Sequence, residues 1–593
     1  MGYLSKIRFF LLIAVLLAVS SSLHAQVRVE KSIVGLDGFI RGDRWVPIVL
    51  QIANYGPAFQ GTVQVSRGET LFQKTLELAP GASRKVEMIV FIPNYSENLK
   101  YEILDSHKEV IRSGPLTSQF LNYQDNFILV VSDNDYNHQF LSGIQNPWGG
   151  KTFVGYLRSP DLYSNYIAYS TADAIAIGSI STQQLDLDLW KALLLYGAAG
   201  GTLVGSPFTD FSALQDSTLQ RFLPTIAPEL SETTRGEFLA SRWSARSADP
   251  FPQFEIPAQK IAAHGSDLVL AEISPGNPLI TSSPFYKGNI IYFGFDYSRI
   301  PESIRSGGNA GSVFANYWNE IIFPGVPGVP QFGLPYRSRL EDNPRVQKDL
   351  YDIPGLKLPD MKWFALFFFA YLLIIGPIQY FALNVLKKNA MLWITFPLII
   401  FVFTAAAIGY SNYLHSSKGK ITQIAVIESF PELRSQTTYQ IYGSAFSESG
   451  DFDFQAVPEN SYLTKAVRQT STYQFEPFTL IEDLPHTLTG ESMKTWTFRT
   501  FDAISSQPES TGVQVNAQID GTKLYGSVRN NGRYVLRECF FLYDRLNSAK
   551  LQVIEPGETR KFVIELNNRS TMPMAEPHLR ALLDLSRPSH TRP

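Results

Sequence analysis

Two uninterrupted apolar runs dominate the hydropathy pattern of the chain. They cover residues 363–385 and 391–410, neither contains a charged residue, and a short connection, residues 386–390, separates them. A helix rises about 1.5 Å per residue, so each run is long enough to cross a hydrocarbon core of roughly 30 Å. The pattern predicts a two-helix transmembrane hairpin. The alternative is a buried helical hairpin in a soluble protein.

A third apolar run lies near the N-terminus. Lys6 and Arg8 precede the apolar residues 9–19, and small polar residues follow. This order is typical of a secretory signal peptide over residues 1–25. Leu23 stands where a cleavage site prefers a small residue, so an uncleaved signal anchor stays open. Either form exports the residues that follow.

Export of the N-terminal region sets the expected topology. Residues 26–360 would lie outside the cytoplasm, the first span would enter it, and Lys387 and Lys388 would mark the inner turn. The second span then returns the chain to the outer side. We therefore expect an inner-membrane protein whose N-terminal and C-terminal domains are both periplasmic or extracytoplasmic.

Two regions show the alternation that is typical of β-strands. In residues 27–122, the segment Gly61-Thr62-Val63-Gln64-Val65-Ser66 alternates and Pro80-Gly81 marks a turn, which predicts an immunoglobulin-like β-sandwich. Residues 421–568 are also strand-rich and predict a second sandwich region. There, Asn530-Asn531-Gly532 and Pro556-Gly557 echo Asn54-Tyr55-Gly56 and Pro80-Gly81, an echo of turn chemistry alone.

The pattern between residues 124 and 323 is different. Continuous apolar runs, Phe127-Ile128-Leu129-Val130-Val131 and Ala174-Ile175-Ala176-Ile177, are typical of strands buried on both faces of a parallel sheet. A helical pattern around Leu193 follows them. The sequence thus predicts an α/β domain, then a proline-rich linker over residues 324–362, and a frayed tail over residues 582–593.

Composition narrows the possible functions. The 593 residues carry a formal net charge of -3 without a basic cluster among aromatic residues, which argues against a nucleic-acid partner. Cys539 is the single cysteine, so an intramolecular disulfide and a cysteine-rich metal site are excluded.

The α/β region resembles the class I glutamine amidotransferase-like fold. The resemblance rests on Asp173-Ala174-Ile175-Ala176-Ile177, Trp190-Lys191-Ala192-Leu193-Leu194 and Gly200-Gly201-Thr202-Leu203-Val204. In active members a cysteine nucleophile occupies the sharp turn that corresponds to Val204-Gly205-Ser206-Pro207-Phe208. This turn has no cysteine, so the thiolate chemistry of that family is not available and we predict a protein that is not an enzyme.

A serine hydrolase is the catalytic alternative. Ser206 would be the nucleophile and His264 its base. Phe208 stands where a Gly-x-Ser-x-Gly motif requires its second glycine, so the match to that motif is broken.

Four aspartates are candidates for ligand binding. Asp133, Asp135, Asp210 and Asp296 follow predicted strands, and the carboxyl ends of parallel strands meet at one edge of a sheet, where open α/β sheets bind ligands. We call this edge the rim. Asp133 and Asp135 begin like a calcium loop, but His138 occupies the glycine position of that template. We predict neither a metal nor a cofactor.

The order of domains resembles a family of uncharacterised bacterial envelope proteins. Its members are often encoded beside MoxR-type ATPases, which implies a role in assembling envelope complexes. The leading hypothesis is a non-enzymatic, membrane-anchored scaffold or binding protein with the lipid bilayer and envelope proteins as partners. An accessory subunit of a transport complex is a further alternative.

Overall fold

The computed structural model describes most of the chain between residues 27 and 566. The described residues are 27–93, 98–122, 124–133, 138–144, 150–178, 180, 186–207, 225–235, 255–263, 267–300, 318, 348, 350, 361–414, 420–446, 449–465, 477–494, 497–508, 512–543 and 547–566. The predicted signal peptide, most of the predicted linker and the predicted tail therefore lie outside the described residues.

Residues 27–122 form an all-β unit, which we call the N-terminal module. Its strands, in chain order, are β1 (Val27–Val34), β2 (Phe39–Arg41), β3 (Arg44–Asn54), β4 (Phe59–Arg67), β5 (Thr70–Leu78), β6 (Ser83–Ile92), β7 (Leu99–Asp105), β8 (Val110–Leu116) and β9 (Gln119–Leu121). One layer has the order β1-β3-β6, and the facing layer contains β5-β4-β7-β8. Both layers are antiparallel, so the module is a β-sandwich.

Residues 124–300 form the α/β domain. Its elements are β10 (Asn126–Val131), β11 (Thr152–Leu157), β12 (Ala174–Ile177), α1 (Leu187–Ala198), β13 (Thr202–Gly205), β14 (Thr225–Arg235), β15 (Glu255–Ala262), β16 (Leu268–Ser274), β17 (Asn277–Phe285) and β18 (Gly288–Phe293). The main sheet has the order β11-β10-β12-β13-β18-β17-β16. The strands from β11 to β18 are parallel, and β17 and β16 add antiparallel hairpins. Its assignment to the amidotransferase-like fold stays a prediction.

The apolar runs of this sheet divide their side chains between two cores. Phe127, Leu129 and Val131 of β10 belong to a core that they share with the N-terminal module. Ile128 and Val130 point to a separate core on the opposite face. Successive side chains of a strand point to opposite faces, so a strand covered on both sides must be apolar at every position.

The membrane hairpin comprises residues 361–414. Its helices are α2 (Met361–Leu373), α3 (Gln379–Val385) and α4 (Leu392–Leu414), and a π-helical turn, Ile374–Ile378, joins α2 to α3 around Pro377. In this turn the N–H of Gln379 donates to the carbonyl of Ile374, five residues back, which is how the helix continues past a residue without an N–H.

Both arms of the hairpin have the length and composition of membrane spans, Lys362–Val385 and Leu392–Tyr410. Large apolar side chains on them are exposed, for example Trp393 at 85% and Val385 at 82%. A helix in the core of a soluble protein would have these side chains covered by protein, whereas a lipid-facing helix leaves them uncovered.

Residues 420–508 follow the hairpin and form what we call the post-hairpin segment. Its strands are β19 (Lys420–Phe430), β20 (Ser435–Ala445), β21 (Gly450–Gln455), β22 (Tyr462–Lys465), β23 (Thr479–Ile481), β24 (Thr487–Met493) and β25 (Phe498–Pro508). Four of them form a sheet in the order β19-β20-β25-β22. The others, β21-β24-β23, extend a sheet of the N-terminal module.

This shared sheet joins the two sides of the hairpin in sequence. Strand β23 pairs in parallel with β5, with Thr479 opposite Leu71 and Ile481 opposite Gln73. The resulting seven-stranded sheet has the order β21-β24-β23-β5-β4-β7-β8. One apolar core contains residues of the N-terminal module, the α/β domain and the post-hairpin segment, so these three parts form a single body.

Residues 512–566 form the C-terminal module. Its strands are β26 (Val513–Asp520), β27 (Lys523–Asn530), β28 (Leu536–Leu542), β29 (Ser548–Ile554) and β30 (Thr559–Glu565), in two sheets with the orders β26-β27-β30 and β28-β29. The module has its own small core, which includes Leu524, Ile554 and Phe562. It therefore packs as a second sandwich that is distinct from the body.

Candidate functional site

The parallel sheet brings three of the predicted site residues to the rim. Asp133 follows β10, Ser206 follows β13 and Asp296 follows β18. The other three predicted residues, Asp135, Asp210 and His264, lie outside the described residues.

Asp133 holds together the loops of the rim. Its carboxylate accepts hydrogen bonds from the backbone N–H of Ser159 (3.1 Å) and from the Ser159 hydroxyl (3.0 Å). Ser159 opens the short helical turn Ser159–Asp161 that follows β11. The Asp133 carboxylate thus satisfies a backbone donor and a hydroxyl donor at the end of the neighbouring strand β11.

Asp296 lies beside a cation. Arg299 Nε is 3.1 Å from Asp296 Oδ2, and the Asp296 side chain is mostly buried. The N–H of Arg299 also donates to the carbonyl of Asp296. Both interactions fix the turn after β18.

Ser206 is fully buried, with 0% of its surface exposed. Aromatic side chains pack near the ends of β10 and β18, where His138 contacts Tyr297 edge-on at 5.5 Å and Trp318 stacks on Phe293 at 5.0 Å. Burial raises the pKa of the Tyr297 hydroxyl well above its usual range. The Ser206 hydroxyl is therefore not in contact with solvent in this arrangement.

A cleft of about 350 Å³ opens where the rim meets the N-terminal module. We call it the rim cleft. Its charged and aromatic lining residues are Lys31, Asp37, Lys85, Tyr156, Asp161 and Tyr163. The carboxylate of Asp37 accepts a hydrogen bond from the N–H of Tyr156 (2.9 Å), which fixes one wall to β11.

The rim cleft presents both charges and apolar surface. Lys31 and Lys85 can attract anionic groups, Asp37 and Asp161 can attract cationic groups, and the Tyr156 and Tyr163 rings supply apolar surface. The lining contains neither a histidine nor a cysteine. Among the described residues, moreover, no group of three or more His, Cys, Asp and Glu could hold a metal ion.

A buried ion pair fixes the N-terminal module to the α/β domain. Both terminal nitrogens of Arg41 bind the Asp173 carboxylate, at 2.7 and 2.8 Å, and one also donates to the Asp125 carbonyl. Asp173 in addition accepts the N–H of Phe127 at 2.7 Å. Burial and the neighbouring charge of Arg41 lower the pKa of Arg44 to about 10. The pair thus positions β10 and β12 against the N-terminal module.

A second polar cluster lies at the junction of β5 and β23. The Glu482 carboxylate accepts the N–H of Ile89 at 3.1 and 3.2 Å, and Lys74 donates to the carbonyl of Glu87 at 2.7 Å. Burial raises the pKa of Glu482 to about 8, and the charges of Glu87 and Asp483 add to the effect while Lys74 opposes it. The same cause raises the pKa of Glu87.

The sequence pattern indicates that Asp133, Ser206 and Asp296 follow strands, but it does not reveal either buried cluster. Asp173 and Arg41 are 132 residues apart, and Glu482 and Ile89 are 393 residues apart. Their partners are set by tertiary structure, so no local spacing could reveal them. The one available signal was a charged residue directly before an apolar strand, as Asp173 is before β12.

A comparison with protein families matches the N-terminal module. A family model described as a domain of unknown function (DUF8726) matches residues 27–119. No curated protein matches the chain.

Several solved structures match parts of the chain. The cytoplasmic protein STM1381 from Salmonella typhimurium LT2 is 16% identical, and the match covers 33% of this chain and 99% of that one with a TM-score of 0.25. The exo-beta-1,4-mannosidase Op5Man5 from Opitutaceae bacterium strain TAV5 is 15% identical and covers 33% of this chain, with a TM-score of 0.22.

A beta-galactosidase from Bacillus circulans sp. alkalophilus is 10% identical and covers 63% of this chain, with a TM-score of 0.21. The matches span only 35% of the mannosidase and 41% of the galactosidase. Structural agreement at these TM-scores carries no conclusion about fold or activity.

Proposed function

We propose that this chain is a non-enzymatic scaffold or binding protein, anchored in the bacterial inner membrane by its hairpin, with the body and the C-terminal module on the extracytoplasmic side. The resemblance of its domain order to bacterial envelope proteins supports the compartment. Two features support binding over catalysis: Ser206 is buried, and charged and aromatic side chains line the open cleft.

The pairing of β5 with β23 is the observation that carries the proposal. The two strands lie before and after the hairpin in sequence, yet they share one sheet. A water-soluble sheet cannot extend through a bilayer, so the hairpin must enter and leave the membrane on the side where the body lies. The two helices then serve as an anchor, and their lack of charged residues gives no path for an ion or polar substrate.

The rim cleft is the surface we propose for binding an envelope partner or a small ligand. It lies between two parts of the rigid body, so its walls are held by Asp37 and, through Ser159, by Asp133. A site that is built from fixed elements loses little conformational entropy when a ligand binds.

A MoxR-type ATPase system is the partner that the family resemblance implies. In the proposed topology the turn between α3 and α4, with Lys387 and Lys388, reaches the cytoplasm. A cytoplasmic ATPase would therefore act on this protein through that turn or through another membrane protein.

Cysteine accessibility tests the topology. In a Cys539→Ser background, single cysteines replace Lys108 in the N-terminal module, Arg533 in the C-terminal module, or Lys388 in the hairpin turn. We expect a membrane-impermeant maleimide to label the first two positions in cells with a permeabilised outer envelope, and Lys388→Cys only after lysis. Labelling of Lys388→Cys before lysis, or protection of either of the others, would overturn the proposed sidedness.

Photo-crosslinking tests the binding role of the cleft. A photoreactive residue replaces Lys85 in the cleft or, as the matched control, the exposed Lys108 outside it. We expect the Lys85 variant to give a discrete crosslinked product in native membranes that the Lys108 variant lacks. Identical product patterns from both variants would remove the rim cleft from the proposal, whatever the labelling experiment shows about topology.

A further inference from the structure

Strand β19 forms one edge of the sheet in the post-hairpin segment. It pairs with β20 over its whole length, Lys420–Phe430, in a register without a bulge. In the described part of the chain the other side of β19 pairs with no strand, since the sheet order is β19-β20-β25-β22. The opposite edge of this sheet, β22, has only four residues. Strand β19 therefore presents the longer row of backbone N–H and C=O groups to an added strand.

The sequence of β19 lacks the features that keep a strand edge from pairing. Residues 421–427 read Ile-Thr-Gln-Ile-Ala-Val-Ile, without a charged residue or a proline. The edges of the seven-stranded sheet differ, since β21 carries Asp451 and Asp453 and β8 carries Arg112 and Pro115. Natural proteins blunt their edge strands with charges, prolines and bulges, so a long edge without them indicates a strand that pairs with another chain.

The exposed face of β19 is apolar at both ends. Ile421 is 61% exposed and Ile427 is 52% exposed, and Ala425 between them is also exposed. On the other face, Ile424 and Val426 pack against the core of the body. Successive side chains of a strand alternate between faces, so the buried residues fix the orientation of β19 and leave both isoleucines uncovered.

Strand β19 is complementary to a second copy of itself. An antiparallel pair centred on Ile424 places Ile421 of each copy opposite Ile427 of the other. Two identical strands in this arrangement are related by a two-fold axis, so the contact between isoleucines occurs twice. Because β-branched residues that lie opposite each other stabilise a sheet, this register covers both exposed side chains and gains from their contact.

The same register brings opposite charges together on the other face. Lys420 of each copy lies opposite Glu428 of the other. One carboxylate oxygen of Glu428 pairs with Lys287 of the α/β domain. The other, Oε2, is buried and has no hydrogen-bond partner in the part of the chain that the structure describes. A buried carboxylate oxygen without a donor costs free energy, and a lysine of a second copy supplies that donor.

The membrane hairpin is compatible with this symmetry. Two copies in one bilayer have the same orientation across it only if their two-fold axis is parallel to the membrane normal. The two-fold axis of an antiparallel strand pair is perpendicular to its sheet, so β19 would lie parallel to the membrane surface. The strand begins six residues after α4 ends, and six residues span at most about 20 Å, which keeps its start close to the bilayer.

We propose that β19 pairs antiparallel with β19 of a second copy, so that the protein is a two-fold symmetric dimer in the membrane. The two four-stranded sheets then form one continuous sheet, from β22 of one copy to β22 of the other. The dimer places two hairpins and two rim clefts in one assembly, which goes beyond the anchor and binding role proposed for the single chain.

Disulfide formation between differently tagged copies tests the register. Both chains carry Cys539→Ser, and one carries Ile421→Cys while the other carries Ile427→Cys. After mild oxidation in native membranes, we expect a disulfide-linked species that contains both tags. The matched control combines Ile421→Cys with Gln423→Cys, which is also exposed. It should give no such species, because the proposed register separates these two positions by four residues, or about 13 Å.

Absence of the mixed disulfide from the first combination would overturn the dimer, as would an equal yield from the matched control. A disulfide to a different protein would mean that a strand of another chain occupies the edge, and it would also overturn pairing with a second copy.

Charge substitution provides an equilibrium test on the full chain in detergent. The variant with Ile421→Lys and Ile427→Lys places like charges opposite each other across the two-fold axis, whereas Ile421→Lys with Ile427→Glu places opposite charges there. Light scattering should show a dimer for the unmodified chain, loss of the dimer in the first variant and its retention in the second. A monomeric unmodified chain, or the same mass for both variants, would overturn the proposal.

Discussion

Glu482 is a buried titratable residue at the junction between β5 and β23. Its carboxyl group is buried against the N–H of Ile89, and its pKa is raised to about 8. An unfolded glutamate titrates near 4.3. Between these two values the folded state binds more protons than the unfolded state, so the free energy of unfolding falls as pH rises through this range.

We therefore predict that Glu482→Gln reduces the loss of stability between pH 5 and pH 8, because the amide cannot ionise. Thermal unfolding of the full chain in detergent, recorded across this range, measures the effect. Glu77→Gln, an exposed position on β5, is the matched control and should leave the slope unchanged. If the stability of Glu482→Gln fell with pH as steeply as that of the unmodified chain, the raised pKa of Glu482 would be contradicted.

Asp133 and Ser206 illustrate which properties of a residue the sequence does not reveal. The sequence placed Asp133 at the end of an apolar strand, and the structure places it at the rim. It could not show that the Asp133 carboxylate is occupied by Ser159, or that Ser206 has no exposed surface. Occupancy and burial depend on residues that meet only in the folded chain.

At the scale of elements, the Asn54 and Asn530 corners explain why the turn signals recur along the chain. Each asparagine joins the two layers of its sandwich, because it donates to a carbonyl of a strand in the facing sheet, 24 residues on, and accepts the N–H of a glycine two residues on. The echo of Asn-x-Gly and Pro-Gly turns could be read from the sequence. The equal spacing of their hydrogen bonds required the strand register.

We predict that Asn530→Ala destabilises the C-terminal module by about 1–3 kcal/mol, because buried backbone groups lose their partners. Hydrogen exchange with mass spectrometry on the full chain measures this at each segment. Exchange should rise in residues 512–566, which have their own core, and stay unchanged in the body. The companion variant Asn54→Ala should do the reverse, and a rise in both regions from either variant would contradict independent modules.

Elements that are local in sequence were the ones that could be predicted. The two spans, the buried strands β10 and β12 and the alternating strand β4 follow from periodicity in short windows. Strand β23 has only three residues and pairs with a strand hundreds of positions earlier, so its register was outside the reach of any local pattern. The division of residues 421–568 between the body and a separate C-terminal module depends on this pairing.

At the scale of the whole molecule, one body is built from the segments of chain that precede and follow the hairpin. The buried pair Arg41–Asp173 joins the N-terminal module to the α/β domain, and β23 joins the post-hairpin segment to the N-terminal module. A cavity of about 60 Å³, lined by Arg44, Ser170 and Thr464, lies where these three parts meet. The hairpin thus connects two segments of one rigid unit.

One crosslink tests this claim most directly. Gln73 of β5 lies opposite Ile481 of β23, and adjacent strands are about 4.8 Å apart, within the range that a disulfide can bridge. The variant carries cysteines at both positions in a Cys539→Ser background. Its matched control pairs Ile481→Cys with Gln60→Cys, an exposed position on β4 that is not adjacent to β23.

After mild oxidation in native membranes, we expect an intramolecular disulfide between positions 73 and 481 and none between positions 60 and 481. Protease cleavage between the hairpin and β5 should then leave the two fragments joined until a reductant is added. Absence of the disulfide at positions 73 and 481, or equal crosslinking in the control, would contradict a single body formed across the membrane hairpin.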